Sequence, residues 1–420
     1  MPDAVDVEAI LSGVHAAEIV DLAGHLIRIP SFKTEETAVA RWLVDYFDAR
    51  GYQVDLQEVD PGRYQTIATL KGSGGGKSLM FNGHLDIDPL AHGWRRDPWT
   101  PIVEDDRCYG AGSYNMKGGV ASMIMAAEAV RRSGKPLRGD LVLACVVGEL
   151  QGGVGTAHLM KTGFRTSMAI VTEPYGAHNV ITTHAGVLQL AVSTTGRSTH
   201  VGRPEHRIDA IEKMMKVIAA LKRIRFRYKP REDLPALPLL NVGCVIGGRG
   251  RDYVLTGPNY SSDYCTALVD VRFLPSQTPQ SVLEDIRSTL DALTREDPDL
   301  NYELESPPPM RFKANRVVME PTDVPKDEYI VQSVIRHYSE VTGNAPRKVG
   351  TILPLSYAGD DTCHLWRAGI PCVLYGPAGL PGEEGEPDNC IIISEMLLTT
   401  KVLALTAADV CNLPATAAAS

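Results

Sequence analysis

Apolar residues along the 420-residue chain recur with two distinct periods, and the switching between them is the first structural signal. Helical spacing marks Thr34–Arg50, Gly119–Arg132 and Ala157–Thr162, and short apolar runs mark strands over Thr66–Leu70, Ser78–Asn82, Leu141–Val147 and Met168–Val171. Such alternation predicts an α/β sheet with helices on its faces. From about Val187 the order becomes strand Val187–Thr194, helix Arg207–Leu221, strands Pro238–Val245 and Tyr264–Phe273, helix Pro279–Leu293 and strand Asn301–Leu304. That β-α-β-β-α-β order predicts a small ferredoxin-like α+β insert. ESPPPMRF, around Pro307–Pro309, reads as the linker back, after which Glu328–Glu340 resumes a helix and IPCVLYGP a buried strand. The expected division is 1–186 plus 311–420 for the main domain and 187–310 for the insert. The closing PATAAAS reads as a frayed tail, and no internal repeat is visible.

Composition narrows the class. With 44% hydrophobic and 22% charged residues, the chain can bury a large core and divide into two or more domains. A formal charge of −9 and a pI near 5.7 favour solubility and argue against a nucleic-acid or anionic-membrane partner. No polybasic run challenges that expectation. The acidic, helix-patterned N-terminal segment lacks the layout of a signal peptide, and no apolar run is long enough to span a bilayer. Eight cysteines without a CxxC pair, several in apolar strand-like runs, predict reduced and mostly buried thiols and a cytoplasmic location.

Candidate chemistry lies at the ends of the predicted strands. GHLDIDP, with His84 and Asp86, follows the strand SLMF, and open α/β sheets place their sites at that carboxyl edge. SYNMKGG carries Asn115 and Lys117-Gly118-Gly119, VVGELQGG carries Glu149 and Leu150, and VTEP carries Glu173. KGSGGGKS, Lys71–Ser78, looks like a phosphate loop, but a strand follows it where a helix N-terminus is needed, and a glycine-rich hairpin is the better reading. Nothing like GxSxG surrounds a serine.

These motifs, in this order around an insert, resemble the zinc-dependent metallopeptidase family of aminoacylases, glutamate carboxypeptidases and succinyl-diaminopimelate desuccinylases, over nearly the whole chain. The resemblance implies a mixed-sheet catalytic domain with an inserted lid for dimerisation, and hydrolysis of peptide or N-acyl amino acid amides with two zinc ions. By resemblance His84 and Glu173 serve one zinc, Asp86 orients the imidazole, and Glu149 is the general base, its pKa raised by apolar neighbours. The bridging aspartate of the family is here Asn115, a weak ligand, and the glutamate after the base is Leu150. The late histidine is replaced in GEEGEPDN, with Gly385 at its place and Glu383, Glu384 or Glu386 as substitutes. Leu150 and the missing histidine would belong to one zinc together, so at most one ion is expected, and a metal-free site is the alternative.

In the insert, GRSTH places His200 where the family has a histidine that reaches a neighbouring subunit's site and steadies an oxyanion. NYSSDYCTALVDVR retains Asn259 and Arg272, whose counterparts hold the substrate's carboxylate or carbonyl. The resulting expectation is a dimeric amidohydrolase acting on a peptide-like or N-acyl amino acid substrate. Two alternatives stand beside it: a metal-independent enzyme using Glu149 for acyl transfer, cyclisation or elimination, and a non-catalytic binder of an amino-acid-like ligand.

Overall fold

The computed structural model of the chain describes residues 7–255, 257–381 and 388–415. Two compact units emerge: the first from the chain up to Thr183, Thr322–Leu355 and the chain from Asp360, the second from His184–Pro321 with Ser356–Gly359. The first unit opens with α1 (Ala16–Ile27), α2 (Thr37–Asp48), β1 (Gln53–Asp60), β2 (Arg63–Leu70), β3 (Leu79–His84), α3 (Gly118–Arg132), β4 (Leu141–Val146), α4 (Val154–Lys161), β5 (Met168–Val171) and β6 (Asn179–Ile181). The second unit supplies β7 (Gly186–Thr195), α5 (Ala210–Leu221), β8 (Leu239–Gly248), β9 (Tyr264–Phe273), α6 (Pro279–Glu296) and β10 (Asn301–Glu305). The first resumes with α7 (Tyr329–Thr342), β11 (Lys348–Gly350), β12 (Cys372–Leu374) and α8 (Ile393–Asn412).

The first unit is built on an eight-stranded mixed sheet in the order β1-β2-β4-β3-β5-β12-β6-β11. Its centre, β4-β3-β5-β12, is parallel, and β3 and β4 are buried at every position, which is why LMFNGH and LVLACV carry continuous apolar runs rather than alternation. Helix α3, buried from Gly118 to Val130, packs on β3 and β4 and is covered by α1 and α8. Close approach fixes its first turn: a Cβ at Gly119 would collide with the Thr172 carbonyl oxygen just beyond β5, and one at Gly118 with Ile391. The glycine pair of MKGG therefore lets the helix start seat against the sheet edge.

The second unit is a four-stranded antiparallel sheet, β8-β9-β7-β10, packed against α5 and α6 through Leu190, Val217, Val269 and Ile286. Asp209 caps α5 by accepting from the amides of Ile211 and Glu212, so this helix starts at Ala210 rather than Arg207. The chain stays with this unit past the expected return near residue 310, because Val187 and Met319 exchange backbone hydrogen bonds of 2.8 and 3.1 Å.

Lys71–Ser78 is not a hairpin, since the strands it joins, β2 and β3, lie on either side of β4. The backbone of this loop instead hydrogen-bonds to Leu137, Arg138 and Leu413. All eight cysteines are free, and all but Cys244 are buried. No described helix is long and apolar enough to cross a membrane.

Replacing Gly119 with alanine should destabilise the protein by about 1–3 kcal/mol or more, because the new methyl meets backbone that cannot yield locally. Urea unfolding midpoints of wild type and variant would measure the loss.

Candidate active site

Neighbouring parallel strands end on one edge of the sheet, and that edge assembles the site. Pairing of His84 with Val146 and of Asn82 with Val171 brings the carboxyl ends of β4, β3 and β5 into line. His84 closes β3, Glu149 opens the short 3-10 turn Glu149–Gln151 after β4, and Glu173 follows β5. The turn is flanked by Gly148 and Gly153 at φ +70° and +75°. A side chain at Gly153 would also run into Asp361 and His364, so this tight reversal requires glycine.

At the centre, the His84 Nε2 atom lies 3.5 Å from Glu173 Oε1 and 3.9 Å from Glu149 Oε2. These three buried residues offer ligand atoms that all lie within 4.8 Å of one another. Asn115 Oδ1 sits 2.9 Å from the same Nε2, and the backbone oxygen of Asp86 accepts from Nδ1 at 2.8 Å. The Nδ1 hydrogen bond to the Asp86 carbonyl directs Nε2 at Asn115, Glu149 and Glu173. The Asp86 carboxylate, expected to orient the ring, stands 3.5 Å from Nδ1, within ion-pair reach of it. Its oxygens also accept from the amides of Glu149 and Leu150, at 3.1 and 3.0 Å. Leu150 thus serves the site through its backbone alone.

Behind the turn, Arg63 is buried with its guanidinium on Glu36 and donates through Nη1 to Gln151 Oε1 at 2.8 Å. Lys117, also buried, donates to the carbonyls of Leu26 and Ile29 at 2.8 Å each, tying α1 to the Asn115 segment, and burial pulls its pKa down to about 7.

A pair that the sequence reading missed completes the cluster. Asp360 and Asp361, in AGDDT before the short helix Thr362–Arg367, are both buried, and Asp361 Oδ1 and Glu173 Oε1 have no hydrogen-bond donor. The only visible signal was two adjacent acids beside a glycine, a pattern common on any surface. Burial raises Glu149 well above the ordinary carboxylate range, with Glu173 and Asp361 adding to the effect, although His84 opposes it. Burial likewise raises Glu173 to about 8 and Asp361 to about 7, against the pull of His84. Burial acts against a charged His84, yet Glu173, Asp86 and Glu149 hold its pKa well above the usual value. Negative charge therefore exceeds positive here, and protons or a bound cation must make up the difference.

The donor set suits one dication. One imidazole nitrogen and carboxylate oxygens are the mix that zinc takes in catalytic sites, and the donorless Glu173 Oε1 is an orphan that a cation would satisfy. No second cluster of metal-binding side chains occurs among the described residues. The expected substitutes Glu383, Glu384 and Glu386, with Gly385, lie outside the described residues.

Of the residues expected in the second unit, His200 and Asn259 come together. Val201 N donates to Asn259 O at 2.9 Å, His200 Nδ1 accepts from Gly202 N at 3.1 Å, and its ring meets Tyr260 edge-on. Arg272 does not join them: it stands near the far end of β9, roughly 26 Å along the strand from Tyr264. Its guanidinium is already engaged by Asp270 at 2.6 Å.

Comparison with known proteins agrees with this architecture. Residues 80–409 match the profile of peptidase family M20/M25/M40. An N-formyl-4-amino-5-aminomethyl-2-methylpyrimidine deformylase of Bacillus subtilis (strain 168) is 27% identical over 93% of this chain and 93% of its own. An acetylornithine deacetylase of Proteus mirabilis (strain HI4320) is 30% identical over 64% of this chain and 71% of its own. The fold of a Saccharomyces cerevisiae di-peptidase superposes with a TM-score of 0.76 at 12% identity, covering 98% of this chain and 99% of the other.

The raised pKa of Glu173 sets a sign for stability in the metal-free protein. Folded, this group titrates at about 8 against an ordinary 4.5, so between those values folding takes up a proton and stability falls as pH rises. Urea midpoints of chelator-treated protein from pH 5.5 to 8.5 should decline. Glu173→Gln should flatten the decline by up to one proton, about 1.4 kcal/mol per pH unit.

Proposed function

This chain belongs to peptidase family M20/M25/M40, a family of hydrolases of carbon–nitrogen amide bonds, and from that premise we propose that it removes a short acyl group from an N-acylated amine, holding at most one zinc ion. The observation that carries the reading is the convergence of His84, Glu149 and Glu173 over the anchored Asp86. The acyl class follows from the relatives: one is named for removing a formyl group and one for removing an acetyl group. An amino-acid-like amine, cytoplasmic location and absence of nucleic-acid or membrane substrates complete the proposal.

His84 and Glu173, with Asn115 Oδ1 beside them, would hold the ion, which supplies Lewis acidity towards the acyl carbonyl and towards water. Glu149 takes a proton from the attacking water and returns it to the leaving nitrogen, so that amide plus water becomes carboxylate plus ammonium. Desolvation suits the task by making the carboxylate more basic than an ordinary one. Gly148, Gly153 and the Arg63–Gln151 hydrogen bond keep this carboxylate in place.

A homodimer is part of the proposal. Arg272 and the His200–Asn259 pair are too far apart within one chain to grip the same small ligand, whereas a two-fold partner can supply one to the other. Strand β8 is an open edge of its sheet and exposes Leu239, Val245 and Ile246.

Protein dialysed against low-micromolar zinc should carry about one zinc by inductively coupled plasma mass spectrometry, and His84→Ala should carry none. Hydrolysis of a panel of N-formyl and N-acetyl amines should be abolished by chelators. Glu149→Gln should cut kcat by roughly 10²-fold or more while keeping the metal. Loss of metal in that variant would make Glu149 a ligand instead, and activity without metal would establish the alternative. Sedimentation velocity should give a dimer in wild type and a monomer in Val245→Glu.

A further inference from the structure

The second unit carries a feature that neither amide hydrolysis nor pairing through β8 uses. Between α5 and β8, the segment Lys222–Arg231 reads KRIRFRYKPR and holds six basic residues in ten, in a chain of net charge −9. It corrects the expectation of no polybasic stretch. The cations alternate with Ile224, Phe226 and Tyr228, so no block of charge stands out.

Burial follows the same alternation. Arg223, Arg225, Arg227 and Lys229 are exposed, whereas Ile224 and Phe226 are half-buried and pack on the core of this unit. Hydrogen bonds pin the backbone. Arg227 N donates to Asp285 at 2.9 Å, Gln277 Nε2 donates to Arg227 O at 3.2 Å, and Ser276 Oγ accepts from Lys229 N and donates to Lys229 O at 3.2 Å each. Arg227 is neutralised by Asp285 and Glu284, but Arg223, Arg225 and Lys229 have no acidic partner among the described residues. Arg223 sits in the turn that closes α5, its amide on the Ala220 carbonyl at 3.0 Å; beyond it the alternating exposure of Arg225 and Arg227 is that of extended chain, which spaces such side chains by roughly 6.7 Å, and with Lys229 they form a row about 13 Å long.

We propose that this row is a docking surface for an acidic segment of a partner protein, bound in extended form with carboxylates on alternate residues. The repeat of such a segment equals that of the row, because both are extended polypeptide. Arginine's planar fork suits carboxylates. The backbone groups of Arg225 and Phe226 make no hydrogen bond to the described residues, which leaves them available to an added strand. A membrane is disfavoured because Ile224 and Phe226 turn inward, leaving nothing apolar to insert beyond the ring of Tyr228. Single-stranded nucleic acid is disfavoured because that lone ring gives no platform for successive bases.

Fluorescence anisotropy on the full chain tests the proposal with three labelled probes: a peptide of alternating glutamate and serine, one of the same composition with its glutamates in a block, and a short oligothymidylate. The alternating peptide should bind tightest and weaken with salt. The double variant Arg223→Glu, Arg225→Glu, at exposed positions outside the catalytic machinery, should lose roughly tenfold or more in affinity. Circular dichroism and unchanged amide-hydrolysing activity or zinc content would confirm its fold. Absence of binding below about 1 mM, equal binding by the double variant, equal binding of the block peptide, or tighter binding of the oligothymidylate would each overturn it.

Discussion

Buried negative charge that lacks enough positive charge beside it governs this molecule. Asp86, Glu149, Glu173, Asp360 and Asp361 are withdrawn from water around one imidazole. Desolvating a carboxylate is costly unless it is paired, protonated or bound to a cation, so the cluster must recruit charge from outside. Much of the surrounding structure serves to hold it together regardless: the aligned ends of β4, β3 and β5, the glycine turns beside Glu149, and the buried Arg63 and Lys117 whose donors fix the adjoining segments. A fold that confines this much unmatched charge has arranged for something to neutralise it.

Much of this was legible in the sequence, for identifiable reasons. The central strands were visible because burial on both faces demands continuous apolar runs, and His84, Glu149 and Glu173 could be placed because each directly follows such a run. Helix α8 was not visible: it is enclosed on nearly all sides, so ISEMLLTTKVLALTAADVCN has no polar stripe to reveal its period. Strand β1 was missed for the opposite reason, since QVDLQEVD lies largely exposed at the sheet edge. Asp360 and Asp361 join the site through the spatial neighbourhood of β12 and β5, which no local pattern encodes.

The departures from the familial pattern acquire a structural meaning. Asn115 keeps a polar oxygen against His84 where an aspartate would add another charge. Leu150 removes a further carboxylate from a pocket already rich in them. Both substitutions reduce the negative charge that a second dication would have to neutralise.

The hold of Asp86 on two successive amides has a consequence for how such a site can change over time. Since the carboxylate grips the backbone at 149 and 150, the geometry of the turn is indifferent to which side chain stands at 150. A lineage can exchange that side chain between ligand and hydrocarbon without first dismantling the loop. The anchor separates the inheritance of shape from the inheritance of chemistry at this position.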